Sequence, residues 1–366
     1  GPLRPGEFDK QAYYQKKNIF FECYSANAKV SDSEPDLLSW GRKKAFNWKQ
    51  GIVSTFRRRF NDNVTFDIIT ALTCGYKQEI DESTLKTFSR SGVIHVLCVS
   101  GLHTGLVFLM FTGLVKVVLF FRRPPRLIWL ILLIPVWLYA MMTGLSDSVV
   151  RASMMISLYN IAKFSRNDIS PLNIIALSAL LIISVSPHQI LSVGFQLSYL
   201  AVTGIIIINR LILKDLKSGG WFRKWIIEPS VMSISAQIAT TPLTLYLFKL
   251  VPVLFLPANL IAIPITTALL YLSFTFLLID SVPIISDMFA MLIEYIVTGL
   301  VSALQFIESM PGSHIELDEV DWKVTLILYS VIIIIFFQRN KSLHSVIRWV
   351  VSIIIVGLTV IQHVSI

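Results

Sequence analysis

Charged side chains and cysteines are both scarce in this sequence. Of its 366 residues, 15% are Asp, Glu, Lys or Arg and three are cysteine, whereas 54% are apolar. Apolar residues at that level exclude an intrinsically disordered chain, and three cysteines are too few for a disulfide framework. With a mean hydropathy of +0.67, the composition excludes an ordinary soluble globular protein and indicates a polytopic membrane protein.

Two kinds of catalytic motif are also missing. The sequence has no Gly-x-x-x-x-Gly-Lys loop for nucleotide phosphates, and no cluster of His and Asp with the spacing of metal ligands. It therefore predicts no metal, no cofactor and no ATPase activity of its own. We expect that the chain is not an enzyme.

Charge is concentrated in the first quarter of the chain. Residues 1–92 hold 15 of the 32 Lys and Arg residues, so we expect a soluble or interfacial part before a membrane part over 93–366. The stretch from Gly1 to Lys17 is polar and lacks the apolar core of a signal peptide. A start at Gly1-Pro2 and an end inside an apolar run are typical of a piece cut from a longer protein.

Ten apolar segments from residue 93 onward are long enough to be candidate membrane crossings. They predict an all-α, polytopic transmembrane bundle preceded by interfacial amphipathic helices. The third is short and carries Asp147, Arg151 and Asn160, so we expect a re-entrant or broken segment lined by protein. The segments are 93–121, 126–146, 147–163, 171–187, 190–211, 225–248, 252–279, 287–308, 323–338 and 346–366.

The basic loops indicate an orientation. Alternating the ten crossings places the basic loops at 122–126, 163–166, 210–224 and 339–348 on one side and the acidic loop at 308–321 on the other. Because Lys and Arg favour cytoplasmic loops, the N-terminal part and the C-terminus are both predicted to be extracytoplasmic.

A basic segment precedes the first crossing. Between Gly41 and Asn61 there is no acidic residue, and apolar side chains recur at helical spacing. The pattern is typical of an amphipathic helix lying flat on the membrane. It is also typical of a collar that attracts phosphate at a pore mouth, and the two interpretations are compatible. The collar residues are Arg42, Lys43, Lys44, Lys49, Arg57, Arg58 and Arg59.

Polar residues inside the crossings are costly and therefore mark candidate functional positions. His95 and His103 either find partners on neighbouring helices or face one cavity through a break near Gly101. Arg151 either pairs with Asp147 one turn before it or binds phosphate from an inward-facing position. A path for a polyanion predicts that the following residues share one water-filled lining: His95, Ser100, His103, Arg151, Gln196, Gln237 and Asn259.

Three residues are predicted to interrupt helices. Gly101 follows the first polar string, and Pro242 and Pro264 stand inside the sixth and seventh segments. Discontinuous helices of this kind line cavities in membrane proteins because their freed backbone groups need polar partners.

Five ordered strings carry a resemblance to a known family. The strings run from His95 to His103, Thr143 to Ala152, Gly194 to Ser198, Thr240 to Leu243 and Ala258 to Pro264. In that order they resemble the competence domain of ComEC-type proteins of the bacterial inner membrane. Pro5 to Asp9 resembles the exit of the extracytoplasmic OB-type domain of that family.

The resemblance implies a function and an organisation. Residues 1–40 are the end of the OB-type region with a linker, 41–92 are basic amphipathic interfacial helices, and 93–366 are the transmembrane competence domain. The implied function is a multi-pass inner-membrane channel that translocates single-stranded DNA during natural transformation. Implied partners are the lipid bilayer, a DNA receptor outside, a cytoplasmic motor or single-strand-binding protein, and flanking OB-type and metallo-β-lactamase-like domains.

Two other functions stay open on the residues alone. A secondary transporter for a small anion would use Arg151 and a broken helix near Asn259. An intramembrane serine hydrolase would use Ser100 as nucleophile with His103 or His95 as base, although serine and histidine at i and i+3 rarely meet with base geometry.

Overall fold

The computed structural model describes residues 37–60, 62–77, 80–118, 126–165, 169–213 and 220–339. A short 3-10 turn at Pro187–Leu191 and a π-helical turn at Arg223–Ile227 precede two of the longer helices. The helices are α1 (Leu37–Arg59), α2 (Asn63–Cys74), α3 (Glu82–Arg90), α4 (Ile94–Leu97), α5 (Gly101–Val118), α6 (Leu127–Ile131), α7 (Leu133–Met142), α8 (Asp147–Phe164), α9 (Pro171–Val185), α10 (Val193–Leu213), α11 (Glu228–Phe248), α12 (Phe255–Ile279), α13 (Pro283–Ser309) and α14 (Trp322–Arg339). Strands β1 (Leu250–Pro252) and β2 (His314–Glu316) pair antiparallel, with Leu250 opposite Glu316.

The all-α prediction is confirmed for the described residues, where a single two-stranded ribbon interrupts the helices. Four helical stretches are long and apolar enough to cross a membrane: Gly101–Val118, Arg223–Phe248, Phe255–Ile279 and Pro283–Ser309. The other predicted crossings are shorter or more polar helices, because turns and polar residues limit each apolar run. The segment 346–366 lies outside the described residues, so a count of ten crossings stays a prediction.

The largest apolar core forms where α2 enters the groove between α12 and α13. Asp62 caps the start of α2 by accepting the Thr65 N–H at 2.9 Å, and Gly75 ends the helix at φ 68°. Every residue from Thr65 to Cys74 is buried. Helices α1, α12 and α13 together cover this stretch, so the prediction of an interfacial helix is wrong for α2.

Helix α1 packs on the same core through aromatic rings. Phe56 and Phe60 are almost fully buried, and their ring centroids lie 5.7 and 5.5 Å from that of Phe276 on α12. Phe46, on another face of α1, is 59% exposed. The predicted amphipathic helix is confirmed, and its apolar face lies on protein.

Helix α8 lies at the centre of the neighbouring helices and contacts α5, α6, α7, α9 and α10. It runs without interruption from Asp147 to Phe164. The prediction of a broken segment is therefore wrong, whereas the expected protein lining is present. A continuous helix satisfies its own backbone, and five neighbours cover its polar side chains.

The predicted breaks at Pro242 and Pro264 are wrong, because α11 and α12 continue through both prolines. A proline inside a helix leaves nearby carbonyl groups without an N–H partner. Next to Pro242, helix α14 donates two side-chain hydrogen bonds to backbone carbonyls of α11: the Thr325 hydroxyl donates to Pro242 O at 3.2 Å and the Tyr329 hydroxyl to Ala239 O at 3.3 Å. Helix α14 thus holds this stretch of α11 in place.

Replacing Phe56 by alanine tests whether α1 is part of the core. Phe56→Ala removes a buried ring from the contact with Phe276, and it should lower the free energy of unfolding by about 3–5 kcal/mol. Phe46→Ala makes the same change at an exposed site of the same helix and should leave stability nearly unchanged. Denaturant titration in detergent measures both, and equal losses would contradict the packing of α1.

Candidate functional site

The chain breaks between α4 and α5. Cys98 adopts an extended conformation (φ −86°, ψ 134°), and the next helix begins at Gly101. The predicted break near Gly101 is therefore confirmed. Because Gly101 has no side chain, α5 approaches α8 closely: a Cβ at Gly101 would lie 3.3 Å from the Cβ of Ala152.

His103 caps the new helix. Its Nδ1 accepts the backbone N–H of Ser100 at 3.1 Å, which is the reciprocal half of a capping box. The Ser100 hydroxyl also lies 3.1 Å from Nδ1. Since Nδ1 accepts a backbone N–H, the proton of a neutral His103 ring is on Nε2. That atom is buried and has no hydrogen-bond partner among the described residues.

The two histidines of this string differ in exposure. His103 is completely buried, whereas the side chain of His95 on α4 is exposed. They lie within electrostatic range of each other. The break thus brings Ser100, His95 and His103 into one neighbourhood, as the cavity interpretation requires.

Arg151 is the buried cation of the membrane part. It is 4% exposed, and its Nη2 lies beside Gly194 of α10, where a Cβ would stand 3.5 Å away. Tyr199 and Asp147 are within electrostatic range. No ion pair joins Arg151 to Asp147 within 4 Å among the described residues, so the predicted local pair does not form. Its Nε is buried without a hydrogen-bond partner there.

We call Ser100, His103 and Arg151 the α5–α8 site, because the contact of Gly101 with Ala152 brings their helices together. A different face of α8, roughly 180–200° around the helix from Arg151, adds polar groups that sequence reasoning did not assign to a site. Ser153 Oγ and both polar atoms of the Asn160 amide are buried without partners in the described part of the chain. The sequence signal for these two residues is their spacing of seven, which places both on one face of a helix.

Three other predicted path residues have no hydrogen bond to this site within the described ranges. Gln196 donates to Ile190 O at 3.0 Å, and Gln237 donates to the Thr241 hydroxyl at 3.0 Å. Asn259 is 6% exposed on α12. None of the three forms a hydrogen bond with Ser100, His103 or Arg151 within the described ranges. A lining common to all seven residues stays a prediction.

Three of the predicted collar cations have partners inside the protein. Lys49 Nζ donates to Gly75 O at 3.2 Å, and Arg57 lies 4.4 Å above the ring of Phe66. Arg59 pairs with Asp280 at 3.2 Å and with Asp287 at 2.7 Å.

Contacts with other parts of the protein thus engage Lys49, Arg57 and Arg59, and a collar that attracts DNA stays a prediction. Arg58 is exposed and donates to the Thr55 hydroxyl at 3.3 Å. The side chains of Arg42 and Lys43 lie outside the described residues.

Within the described ranges, no group of three or more His, Cys, Asp and Glu side chains has an arrangement that holds a metal ion. The α5–α8 site consists of an arginine, a histidine and a serine. These groups offer hydrogen-bond donors and one fixed positive charge, which suits an anionic ligand.

Comparison with known proteins gives one family. The sequence model described as Competence protein matches residues 72–342. ComE operon protein 3 of Bacillus subtilis is 28% identical over 265 residues, which are 72% of this chain and 32% of that protein. Recombination protein 2 of Haemophilus influenzae is 27% identical over 313 residues, which are 83% of this chain and 38% of that protein.

An uncharacterized protein of Aquifex aeolicus is 29% identical over 246 residues, which are 64% of this chain and 54% of that protein. The chain therefore spans about one third to one half of the length of these relatives. No solved structure matches it.

Substitution of Gly101 tests the close approach of α5 and α8. A valine there would press on Ala152 at a distance that is already short, so Gly101→Val should separate the helices and lower the thermal midpoint of unfolding by several degrees. Gly105→Val is the matched control, because nothing lies within 4 Å of a Cβ at that position of the same helix. Equal midpoints for the two variants would contradict the contact.

Proposed function

The chain belongs to the competence protein family, and from that membership we propose that it forms the channel carrying single-stranded DNA across the bacterial inner membrane during natural transformation. The family and the relatives point to a role in competence DNA uptake. The route of the strand through the membrane helices is the proposal.

The observation that carries the proposal is the buried, partly unpartnered Arg151. A guanidinium removed from water is costly unless an anion or hydrogen-bond acceptors compensate it. A passing phosphodiester supplies both, because the planar guanidinium binds phosphate through two parallel hydrogen bonds.

Neutral donors on the same two helices fit a moving polyanion. His103 Nε2 on α5 and the Asn160 amide on α8 are donors without protein partners in the described ranges. A path built from many fixed cations would hold DNA too tightly to release it, whereas one arginine among neutral donors allows entry and exit.

The same proposal includes location and partners. Apolar helices and family membership support a membrane protein, and we place it in the inner membrane with several crossings. Its basic loops then face the cytoplasm, and both ends of this chain lie outside. Because the sequence has no nucleotide-phosphate loop, the driving force comes from a cytoplasmic motor or a single-strand-binding protein. A receptor outside and flanking OB-type and metallo-β-lactamase-like domains complete the proposed machinery.

The contact between Ser100 and His103 favours a second candidate, an intramembrane serine hydrolase. The Ser100 hydroxyl and His103 Nδ1 lie 3.1 Å apart, which is hydrogen-bonding distance. The same Nδ1 accepts a backbone N–H, however, and no carboxylate orients Nε2 in the described part of the chain. We therefore propose that the contact caps α5 and that the membrane part is not an enzyme.

Removal of the Arg151 charge tests the channel. Arg151→Gln in the full-length protein of competent cells should reduce internalised labelled DNA by about tenfold or more, since one hydrogen-bonded charge contact is worth about 1.5–3 kcal/mol. DNA bound to the cell surface and the amount of protein in the membrane should stay constant. Arg151→Lys, which keeps the charge but loses the planar fork, should give an intermediate value.

Lys163→Gln is the matched control, because it removes a cation near the end of the same helix. It should leave uptake normal. Normal uptake in Arg151→Gln would refute the role of this residue, and saturable uptake of a small anion that excess DNA does not affect would favour a transporter instead.

Fluorophosphonate labelling distinguishes the hydrolase. We expect no labelling of Ser100 in the intact protein, because a neutral capping histidine without an orienting acid does not activate the hydroxyl. Labelling that disappears in Ser100→Ala and persists in Ser146→Ala would establish a reactive serine and refute this interpretation.

A further inference from the structure

Two arginines attach the segment between α1 and α4 to opposite ends of α13. Arg59 pairs with Asp287 at 2.7 Å, and Arg90 pairs with Glu308 at 3.3 Å and Glu316 at 3.0 Å. The hydrogen-bonded carboxylates of Glu308 and Glu316 raise the pKa of Arg90. Asp287 and Glu308 are 21 residues apart on one helix, which is about 31 Å at about 1.5 Å per residue.

The segment between α1 and α4 also contacts both ends of helix α12. Arg59 also pairs with Asp280, directly after the last residue of α12. At the other end, the backbone of Gly92 meets the start of α12, where a Cβ would lie 2.8 Å from Phe255. Both helices are apolar enough to cross a membrane, and the apolar layer is about 30 Å thick. Residues 60–91 therefore pass from one membrane side to the other inside the protein.

Helix α1 stands beside this buried segment. Arg57 near its end covers Phe66 near the start of α2, and Lys49 two turns earlier reaches Gly75 after the end of α2. The two helices are thus an antiparallel hairpin, whose tip lies at the Asp280 end of the bundle. Because α2 fills the groove between α12 and α13, α1 extends along the membrane depth instead of lying flat on the surface.

One face of α1 is exposed at that depth and is polar. Its residues recur at spacings of three and four, so they form a single stripe along the helix. Trp48 lies on the same face and is 53% exposed. We call this set the α1 stripe: Lys44, Asn47, Gly51, Ser54 and Arg58.

Lipid is an unfavourable neighbour for the α1 stripe. Charged and amide side chains at membrane depth face protein or water, because hydrocarbon cannot hydrogen-bond them. No acidic residue occurs from Gly41 to Asn61, so the charges that α1 itself contributes to the stripe are positive.

We propose that the α1 stripe lines a water-filled cleft along the membrane part and that single-stranded DNA passes along it. This inference rests on the proposed uptake function and adds the face that the strand contacts. The positive charge matches the phosphates, and Trp48 offers an exposed ring on which a base stacks without regard to sequence.

Cysteine accessibility in membrane vesicles tests the cleft. The background is the full chain with Cys23, Cys74 and Cys98 replaced by alanine, and the probe is the charged reagent trimethylammonium-ethyl methanethiosulfonate. Ser54→Cys should react about tenfold faster than Tyr295→Cys, because the reactive thiolate forms only in water. Tyr295 is the matched control, since it is 80% exposed on the candidate crossing α13.

The same vesicles test whether single-stranded DNA occupies the cleft. A single-stranded oligonucleotide should slow labelling of Ser54→Cys about threefold or more at low salt, and the protection should disappear as salt rises. Asn47→Cys, two turns earlier on the stripe, repeats the measurement if Ser54→Cys does not reach the membrane. If Ser54→Cys is labelled as slowly as Tyr295→Cys, the α1 stripe faces lipid or another subunit, and the proposed cleft is overturned. Fast labelling without protection overturns DNA as its occupant.

Uptake by the labelled cells separates this inference from the proposed function. Uptake is first measured in cells with unlabelled Ser54→Cys, and attachment of the reagent should then reduce that uptake about tenfold or more. Normal uptake after complete labelling would overturn the α1 stripe as the DNA route while leaving the uptake function of the protein intact.

Discussion

Helix α2 is buried over most of its length although it is rich in polar residues, and the rest of the structure depends on covering it. Thr65, Asp67, Thr70 and Thr73 are all buried within this one helix. At membrane depth such groups are stable only against protein or water. Helices α12 and α13 form the groove that covers α2, while α1 closes it with Phe56 and Phe60. The ion pairs of Arg59 and Arg90 then attach this segment to both ends of the same pair of helices.

The need to cover polar side chains at membrane depth also explains the surroundings of α8. Its charged and amide side chains require five neighbouring helices, and those neighbours approach closely because Gly101 and Gly194 carry no side chain where α5 and α10 meet it. The close approach leaves Arg151 without water and with few acceptors. A buried guanidinium with few acceptors binds an anion readily. The close packing around α8 therefore supports the proposed passage of DNA phosphates.

The interruption before α5 shows how a break is stabilised locally. The first amides of a helix have no partner of their own, and His103 accepts the N–H of Ser100 while burying its other nitrogen. The string from His95 to His103 is therefore explained in part by backbone requirements. Its serine and histidine meet at hydrogen-bonding distance for capping, and that contact by itself does not indicate catalysis.

Much of the fold was predictable because it depends on local composition. Apolar runs place the helices, the polar string with Gly101 marks the one predicted break that forms, and the spacing of apolar residues marks the buried face of α1. These features depend on residues within a few turns of one another. The order of the polar strings also indicated the family before any comparison.

Contacts between distant parts of the chain were not predictable from local patterns. Arg59 has the same local pattern as Arg58, yet Asp280 and Asp287 neutralise only Arg59, and they follow it by more than 220 residues. Side-chain donors from α14 reach backbone carbonyls of α11 beside Pro242, and α12 and α13 turn a segment predicted to lie at the surface into a buried one. The sequence by itself determined a helical membrane protein and its family. Only the tertiary structure decided which polar groups are neutralised, because that depends on which helices meet.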